Sequence, residues 1–410
     1  MLGKHARVLI IVENLPVPFD RRVWLEATTL ARHGYSVSVI CPKAKGFNKS
    51  FETLEDIDIY RYKMPFDAGG AFGFCLEFLW CFIATSAISI WIALLGRGFD
   101  VLHACNPPDT FWLLGLFWKL LGRRFIFDHH DLSPEMYTAK FGRDRGFLRR
   151  GLVWLERRSF QAADVVITTN ESHRTIAIER GGKDPGDVFV VRSGPDLKRF
   201  RRYPVNISYR AGRKHLLVYL GEICKQDGVD YLVRALRIMR DELGRSDFHC
   251  LFIGGGPHQP IIRNYAEAIG VMDVATFTGR VSDEDLCRML SSATVGIDPD
   301  PKNPWSDKST MNKVIEYMYF GLPVVAFDLN ETRVSAGEAG VYAADNSELE
   351  LASKIVGLLD LPDKRARMAE IGQCRVKQAL AWDYSVPVLL AAYSQALASE
   401  RQVHRETLRS

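Results

Sequence analysis

Residues 308–328 read KSTMNKVIEYMYFGLPVVAFD. Val314, Ile315, Met318 and Tyr319 recur there at helical spacing, which predicts a helix with one apolar face. Gly321 supplies the left-handed residue that ends such a helix, and Pro323 opens an apolar, β-branched run that predicts a strand. Glu316 then lies inside the helix, one to two turns from its start. The same alternation extends outward through the chain. Before it come HLLVYLGE (215–222), a helix from Gly228, FHCLFIGGGP (248–257), VATFTGR (274–280) and ATVGIDP (293–299). Further back, a first series holds RVLIIVE, a helix from about Arg22, YSVSVICP, an apolar helix, FDVLHAC, a helix from Asp109, RRFIFDHHD, ADVVITTN and VFVVRSG. The pattern becomes loop-like near residue 200 and then restarts. Continuously apolar strands separated by helices predict parallel sheets covered on both faces. The expected fold class is therefore α/β, with two Rossmann-like domains facing each other and ligands held at the C-terminal strand ends in the cleft.

Composition agrees with two cores: 410 residues, of which 47% are hydrophobic and 11% aromatic. The net charge of +4 gives no reason to expect nucleic acid as a partner. The positive excess sits in the first half, with 27 Lys and Arg against 22 acids in residues 1–200 and 26 against 27 thereafter. The eight cysteines are scattered, with no CxxC pair, as small core residues of a reducing cytoplasm would be. RVLIIVE reads as a first strand, so no secretory signal is expected.

A second stretch, NLPVPFDRRVWLEATTLARHG (14–34), predicts a helix capped by Asp20 and closed by Gly34. It puts Arg21 and Arg22 in the first turn, where the helix dipole favours acids. Pro16 and Pro18 stiffen the loop before it. A bound anion at this helix start would offset the conflict, and pairing with Glu13, Asp20 or Glu26 is the alternative.

The segment IEYMYFGLPVVA resembles the EAMACGLPVVA signature of retaining nucleotide-sugar glycosyltransferases of family 4, which have the two-domain GT-B fold. The likeness runs along nearly the whole chain: VVRSGPDLKRF (190–200) resembles IPNGVDLERF, FIGGGP (252–257) resembles VGDGP, and FTGRVSDEDL (277–286) resembles FLGRVSDEEL. FDHHDL (127–132) resembles the family's HD strand end, and LAWD (380–383) the segment before its last helix. The resemblance implies an acceptor-binding domain over 1–197 and a nucleotide-sugar-binding domain over 198–382. It also implies a crossover helix and tail over 383–410 that pack back on the first domain. Glu316 would accept hydrogen bonds from the donor ribose, a task that suits a two-oxygen acceptor. Backbone groups at Arg280 and Val281 would hold the base, and His130 would stand beside the donor sugar. His130 and Glu316 are thus the candidate catalytic residues.

Two departures matter. The family pairs its ribose glutamate with another eight positions earlier, and here that place holds Lys308. The family's diphosphate clamp, an arginine and a lysine, is replaced by Glu222 and Asp227 in YLGEICKQDG. Lys225, Lys308 and Lys313, with the first amides of the helix at Met311 and Asn312, are the candidates to neutralise the donor phosphates instead. Arg21 and Arg22 are candidates for the donor diphosphate or an acceptor phosphate.

Other signals are expected to be structural. DPDP (298–301) contains a DxD, but its prolines predict a rigid turn, and neither metal nor cofactor is expected. GGGP is expected to serve its turn. In DHHD, neighbouring strand residues point to opposite faces, so convergence on a metal is not expected and His129 reads as structural. FLWCFIATSAISIWIALL (78–95) carries no charge and reads as a buried domain helix or a membrane-dipping one rather than a span. KFGRDRGFLRRGLVWLERR (140–158) has seven Lys and Arg against two acids, interleaved with apolar residues. Together, residues 72–97 and 140–158 predict peripheral contact with a membrane.

The expected activity is transfer of a sugar, with retention, from a nucleotide-diphosphate sugar to a saccharide or polyprenyl-diphosphate-linked acceptor. The setting would be surface-glycan or exopolysaccharide synthesis at the cytoplasmic face of the cell membrane. The alternatives are a nucleotide-sugar epimerase of the same fold and a catalytically silent subunit of a polysaccharide-assembly complex.

Overall fold

The computed structural model describes residues 6–65, 70–142 and 146–407. Residues 143–145 of the basic segment, the side chains of Phe72, Phe74 and Cys75, the side chains of residues 399–407 and the last three residues of the tail lie outside it. The chain divides into two compact units, one of residues 1–138, 143–192 and 385–410, the other of residues 139–142 and 193–384.

The first unit is built on the strands β1 (Arg7–Ile11), β2 (Ser36–Pro42), β3 (Phe51–Leu54), β4 (Ile57–Tyr62), β5 (Val101–Cys105), β6 (Arg124–His129), β7 (Val165–Thr168) and β8 (Val188–Val190). They form one sheet in the order β3-β4-β2-β1-β5-β6-β7-β8, parallel except for the β3–β4 pair. Its helices are α1 (Arg21–Arg32), α2 (Gly70–Ile92), α3 (Trp112–Leu120), α4 (Ser133–Phe141), α5 (Phe147–Ala162) and α6 (Glu171–Glu179). β1 is buried along its length except at Arg7, which explains why it reads as an unbroken apolar run. α1 starts where Asp20 accepts the N–H of Val23 at 3.0 Å. It buries Val23, Ala27 and Leu30, the i, i+4, i+7 stripe.

The second unit holds β9 (His215–Leu220), β10 (Phe248–Ile253), β11 (Ala275–Gly279), β12 (Val295–Asp298), β13 (Val324–Phe327) and β14 (Gly340–Ala343). These are all parallel, in the order β11-β10-β9-β12-β13-β14. Its helices are α7 (Val229–Asp241), α8 (Gln259–Ala268), α9 (Asp283–Ser292), α10 (Asn312–Phe320), α11 (Asn330–Ala336), α12 (Glu348–Leu359) and α13 (Pro362–Arg375). Alternation along β9 feeds both faces: Leu217 and Tyr219 join the core with α7 and α12, and Leu216 and Val218 join the core with α9 and α10. Each such large apolar side chain contributes roughly 1.5–3 kcal/mol on burial. The last helix, α14 (Trp382–Thr407), begins in this unit, where the Trp382 N–H bonds the Pro195 carbonyl at 3.2 Å. From Ser385 onward it belongs to the first unit, where the Tyr393 hydroxyl lies 2.6 Å from His103 Nδ1 of β5.

Two features differ from the sequence reading. The hairpin β3–β4 and the strand β14 are additions. The hairpin turns through Glu55 and Asp56, both at positive φ (47° and 62°), without the Asn-Gly or Asp-Gly that marks such turns in a sequence. The apolar helix is not a buried one. α2 continues through a wider turn to Arg97, and its outer face is bare, with Leu79 56% and Leu94 81% exposed. Among the described side chains of α2, only a narrow stripe, Cys81, Thr85, Ser89 and Ile92, is buried.

Candidate functional site

In parallel sheets of this kind, ligands bind where the strand order reverses, beyond the carboxyl ends of the strands. In the second unit that point lies between β9 and β12. The loop after β9 is tied to the loop after β10 by N–H to carbonyl bonds from Gly221 to Ile253 (3.1 Å), Ile223 to Gly255 (2.8 Å) and His258 to Ile223 (3.0 Å). Gly254 sits at φ +130°, and a Cβ there would fall 1.9 Å from the Gly221 carbonyl oxygen, so only glycine closes the two loops. Asp227 closes the β9 loop on itself by accepting the Cys224 N–H at 2.9 Å, which gives this acid a structural task. Lys225 in the same loop is exposed, as is Arg280 just past β11, while Val281 packs against the core.

α10 is locked onto the reversal point by Tyr317, a residue the sequence reading did not single out. Its buried hydroxyl accepts the Leu220 N–H of β9 at 2.7 Å and donates to the Ile297 carbonyl of β12 at 3.1 Å. Gly296 makes room for the ring, since a Cβ there would lie 2.3 Å from it. The helix starts after Met311 with no side chain capping it. Val314, Ile315, Tyr317 and Met318 face the core, and Glu316 is left partly exposed one turn in. Burial raises the thiol pKa of Cys287 on α9, and the charge of Glu316 adds to that rise. Lys308 is half-buried in the turn Ser306–Lys308, and Asn312 is exposed.

Lys313 requires a correction. It is not available as a phosphate-neutralising cation, because its ammonium is ion-paired to Asp298 at 3.2 Å and, more closely, to Asp300. Burial disfavours the ammonium, but Asp300 and Asp298 outweigh that and hold its pKa well above the ordinary value. Both acids of DPDP are buried and face this lysine. Asp298 is driven below its usual range by Lys313 against the opposing effect of burial, while burial pushes Asp300 up.

In the first unit the strand order reverses between β1 and β5. After β5, Asn106 clamps the loop that leaves β6. Its Oδ1 accepts from the His130 and Asp131 N–H groups at 2.6 and 3.1 Å, and its amide donates to the Asp131 carbonyl at 2.7 Å. Asp128 and His130, two residues apart and therefore on one face, do converge, contrary to the expectation for DHHD. His130 Nε2 lies 2.7 Å from Asp128 Oδ2, and Arg22 Nε lies 2.9 Å from the same nitrogen. Nε2 thus faces both a fixed donor, the Arg22 Nε–H, and a carboxylate. The His130 side chain is 14% exposed. His129 points the other way, to Glu156 at 3.2 Å.

Asp128 is the hub of this network. It is fully buried and pairs with Arg22 Nη2 at 3.1 Å, and its Oδ2 also lies 3.3 Å from His103 Nε2. Burial alone would raise its pKa, but Arg22 and His130 bring it well below the ordinary value. Arg22 also pairs with Glu26 at 3.1 Å and donates to the Val191 carbonyl at 2.7 Å. The charge–dipole conflict at Arg22 is thus met inside the protein by buried acids, with no external anion required, whereas Arg21 lies at the surface. Burial, reinforced by Asp128, raises Glu26 well above its ordinary pKa, against the lowering effect of Arg22. Glu26, Cys105, Asp128 and His130 bring ligand atoms within 4.8 Å of one another, a grouping of metal-binding type that the scattered cysteines did not suggest. The guanidinium of Arg22 is the cation those acids already hold.

Residues 20–194 match the model of a glycosyl transferase 4-like domain, and residues 214–361 that of the glycosyl transferases group 1. Both stretches are thus similar to glycosyltransferase domains. Among curated relatives, a D-inositol 3-phosphate glycosyltransferase of Catenulispora acidiphila is 27% identical over 76% of the chain and 74% of the relative. An MMP alpha-(1->4)-mannosyltransferase of Mycolicibacterium hassiacum is 24% identical over 74% of the chain and 73% of the relative. Among solved structures, sucrose-phosphate synthase from Thermosynechococcus elongatus superposes with a TM-score of 0.77 at 20% identity, covering 96% of this chain and 100% of that one. Anabaena HepE, solved with UDP-glucose, gives a TM-score of 0.69 at 16% identity over 95% and 100%. These neighbours share the GT-B fold with this glycosyltransferase.

Proposed function

We propose that this glycosyltransferase moves a sugar from a nucleotide-diphosphate sugar to a saccharide or lipid-diphosphate-linked acceptor with retention of anomeric configuration. The observation that carries the reading is Glu316: a carboxylate left partly exposed on a helix that Tyr317 fixes to the strand-order reversal of the second unit. There it accepts the donor's ribose hydroxyls. The uncapped amides at the start of α10, from Met311 and Asn312, receive a phosphate. Lys225, Arg280 and Lys308 share its charge, since Lys313 is committed to Asp298 and Asp300. Lys308 stands where the resemblance implies a glutamate, so in this reading a cation replaces an acid close to the donor phosphates. The backbone at Arg280 and Val281 meets the base.

In the transfer itself the bond from the anomeric carbon to the diphosphate breaks and a bond to the acceptor oxygen forms on the same face. The acceptor proton leaves with the diphosphate. Catalysis is then chiefly positioning and stabilisation of the leaving charge, with His130 oriented toward the reacting sugar by Asp128. No metal or cofactor takes part in this scheme. The seven free cysteines among the described residues suit a reducing cytoplasm. Supporting the class of donor, HepE was solved with UDP-glucose.

The test is incubation with a panel of nucleotide sugars and saccharide acceptors, followed by NMR of the new anomeric proton. Acceptor-dependent loss of one donor, with the donor's configuration in the product, is the expected result. Loss of donor without acceptor would make the chain an epimerase, and no turnover or binding of any donor would make it a silent subunit.

A further inference from the structure

The helix layer formed by α2, α3 and α5 is turned inside out. On α2 the stripe that meets the rest of the unit carries Thr85 and Ser89, while Leu79, Ile83, Trp91 and Leu94 face outward. Ser89 bonds the Ser86 carbonyl at 2.8 Å and takes the Trp118 indole N–H of α3 at 3.3 Å, whereas buried Thr85 Oγ1 has no partner. A helix folding only against water would place these residues the other way round. The segment from Leu76 to Arg97 has a mean hydropathy of 2.2 in its most apolar stretch, of which only 22% is buried.

The apolar surface continues without a break. α3 adds Leu116, Phe117 and Leu120, all exposed, and joins α2 through the stacked rings of Phe82 and Phe111, 6.4 Å apart. α5 joins α3 through Trp112 and Trp154, 5.9 Å apart, and exposes Phe147 and Trp154 itself. At that edge the surface becomes basic. Arg150, Arg157 and Arg158 are exposed, and the only acid of α5, Glu156, is buried against Arg180 at 2.6 Å.

We propose that α2, α3 and α5 form a monotopic docking face that lies in the surface of an anionic bilayer. The apolar helices would sit among the acyl chains' upper carbons, and the arginines of α5 would pair with lipid phosphates. α2 is long enough to cross a membrane, at about 33 Å. Its buried stripe, however, runs from Cys81 to Ile92, about half its length, and a crossing helix could not keep that contact. The helix therefore lies in the plane. A second copy of this chain would explain the apolar centre but not its basic edge, which favours a negatively charged surface. This inference stands independently of the donor and acceptor proposed above.

The test is flotation of the full chain with vesicles of phosphatidylcholine alone or mixed in equal parts with phosphatidylglycerol. We expect flotation with the anionic vesicles, weakening as salt rises from about 0.1 to 0.5 M. Arg150→Gln/Arg157→Gln/Arg158→Gln should lower partitioning at least tenfold. Leu79→Glu/Ile83→Glu/Trp91→Glu should abolish it while leaving nucleotide-diphosphate binding intact. Should the glutamate variant fail to fold, wild-type tryptophan emission decides: quenching by lipids brominated near the headgroup should exceed quenching by lipids brominated at the chain ends. The proposal is overturned if wild type floats with neither vesicle, if the glutamate variant floats like wild type, or if deep bromines quench best. It is also overturned if the face instead holds a dimer that the glutamate substitutions dissociate in vesicle-free buffer.

Discussion

Replacing Asp128 by asparagine removes a carboxylate that balances Arg22 inside the first unit. The carboxylate is fully buried and faces Arg22 Nη2 at 3.1 Å, His130 Nε2 at 2.7 Å and His103 Nε2 at 3.3 Å. The amide keeps the shape but loses the charge. Breaking a buried pair from one side costs about 3–5 kcal/mol. At roughly 2–4 °C per kcal/mol for a domain of this size, the first unit should melt about 6–20 °C lower. Calorimetry of the full chain at neutral pH measures this. The paired variant Arg22→Met/Asp128→Asn should recover at least ~1.5 kcal/mol relative to the sum of the single changes, because it leaves no orphan charge. Asp128→Asn should also slow glycosyl transfer, through loss of His130 orientation, without altering nucleotide binding by the second unit. A drop under about 2 °C, or strict additivity in the pair, would refute the buried-hub reasoning.

Other outcomes follow from the same structure. Glu13, buried at the end of β1, has its carboxyl pushed up to about 8 by burial and, less, by Glu77. The folded chain keeps a proton there that the unfolded chain sheds near its ordinary value. This stability is complete in acid and is lost as pH rises toward 8, and its slope approaches 1.4 kcal/mol per pH unit. Urea midpoints between pH 6 and 8 should fall in wild type and be flatter in Glu13→Gln. Lys308→Ala should raise the donor Kd. Lys313→Ala should instead lower the melting temperature first, since it strands Asp298 and Asp300, and titration calorimetry beside thermal melts separates the two.

The architecture was legible because buried parallel strands have to be apolar throughout, and RVLII, HLLVYL and VVAF could be little else. What escaped was local or long-range. Strands β3 and β4 are charged, and their turn residues Glu55 and Asp56 adopt positive φ without a glycine. Arg22 was visible as an anomaly in its helix, but Asp128 lies over a hundred residues away, and nothing in either neighbourhood announces the pair. Lys313 stood at the right place to meet a phosphate, yet two acids fifteen and thirteen positions earlier in DPDP claim it. Tyr317 and Asn106 looked like ordinary helix and loop residues, and their work appears only when the strands they bridge are side by side. The exposure of α2 escaped for another reason. Hydropathy records how apolar a helix is and does not record what covers it.

The central claim is that Glu316 grips the ribose of a nucleotide-diphosphate donor. Its most direct test is titration calorimetry of UDP, GDP and ADP into wild type and Glu316→Gln. One nucleotide should bind wild type, and the amide should weaken it about tenfold to a hundredfold, the span of one to two charge-assisted hydrogen bonds, with the melting temperature held. Equal affinity in the variant, or no nucleotide bound by wild type, would contradict the account.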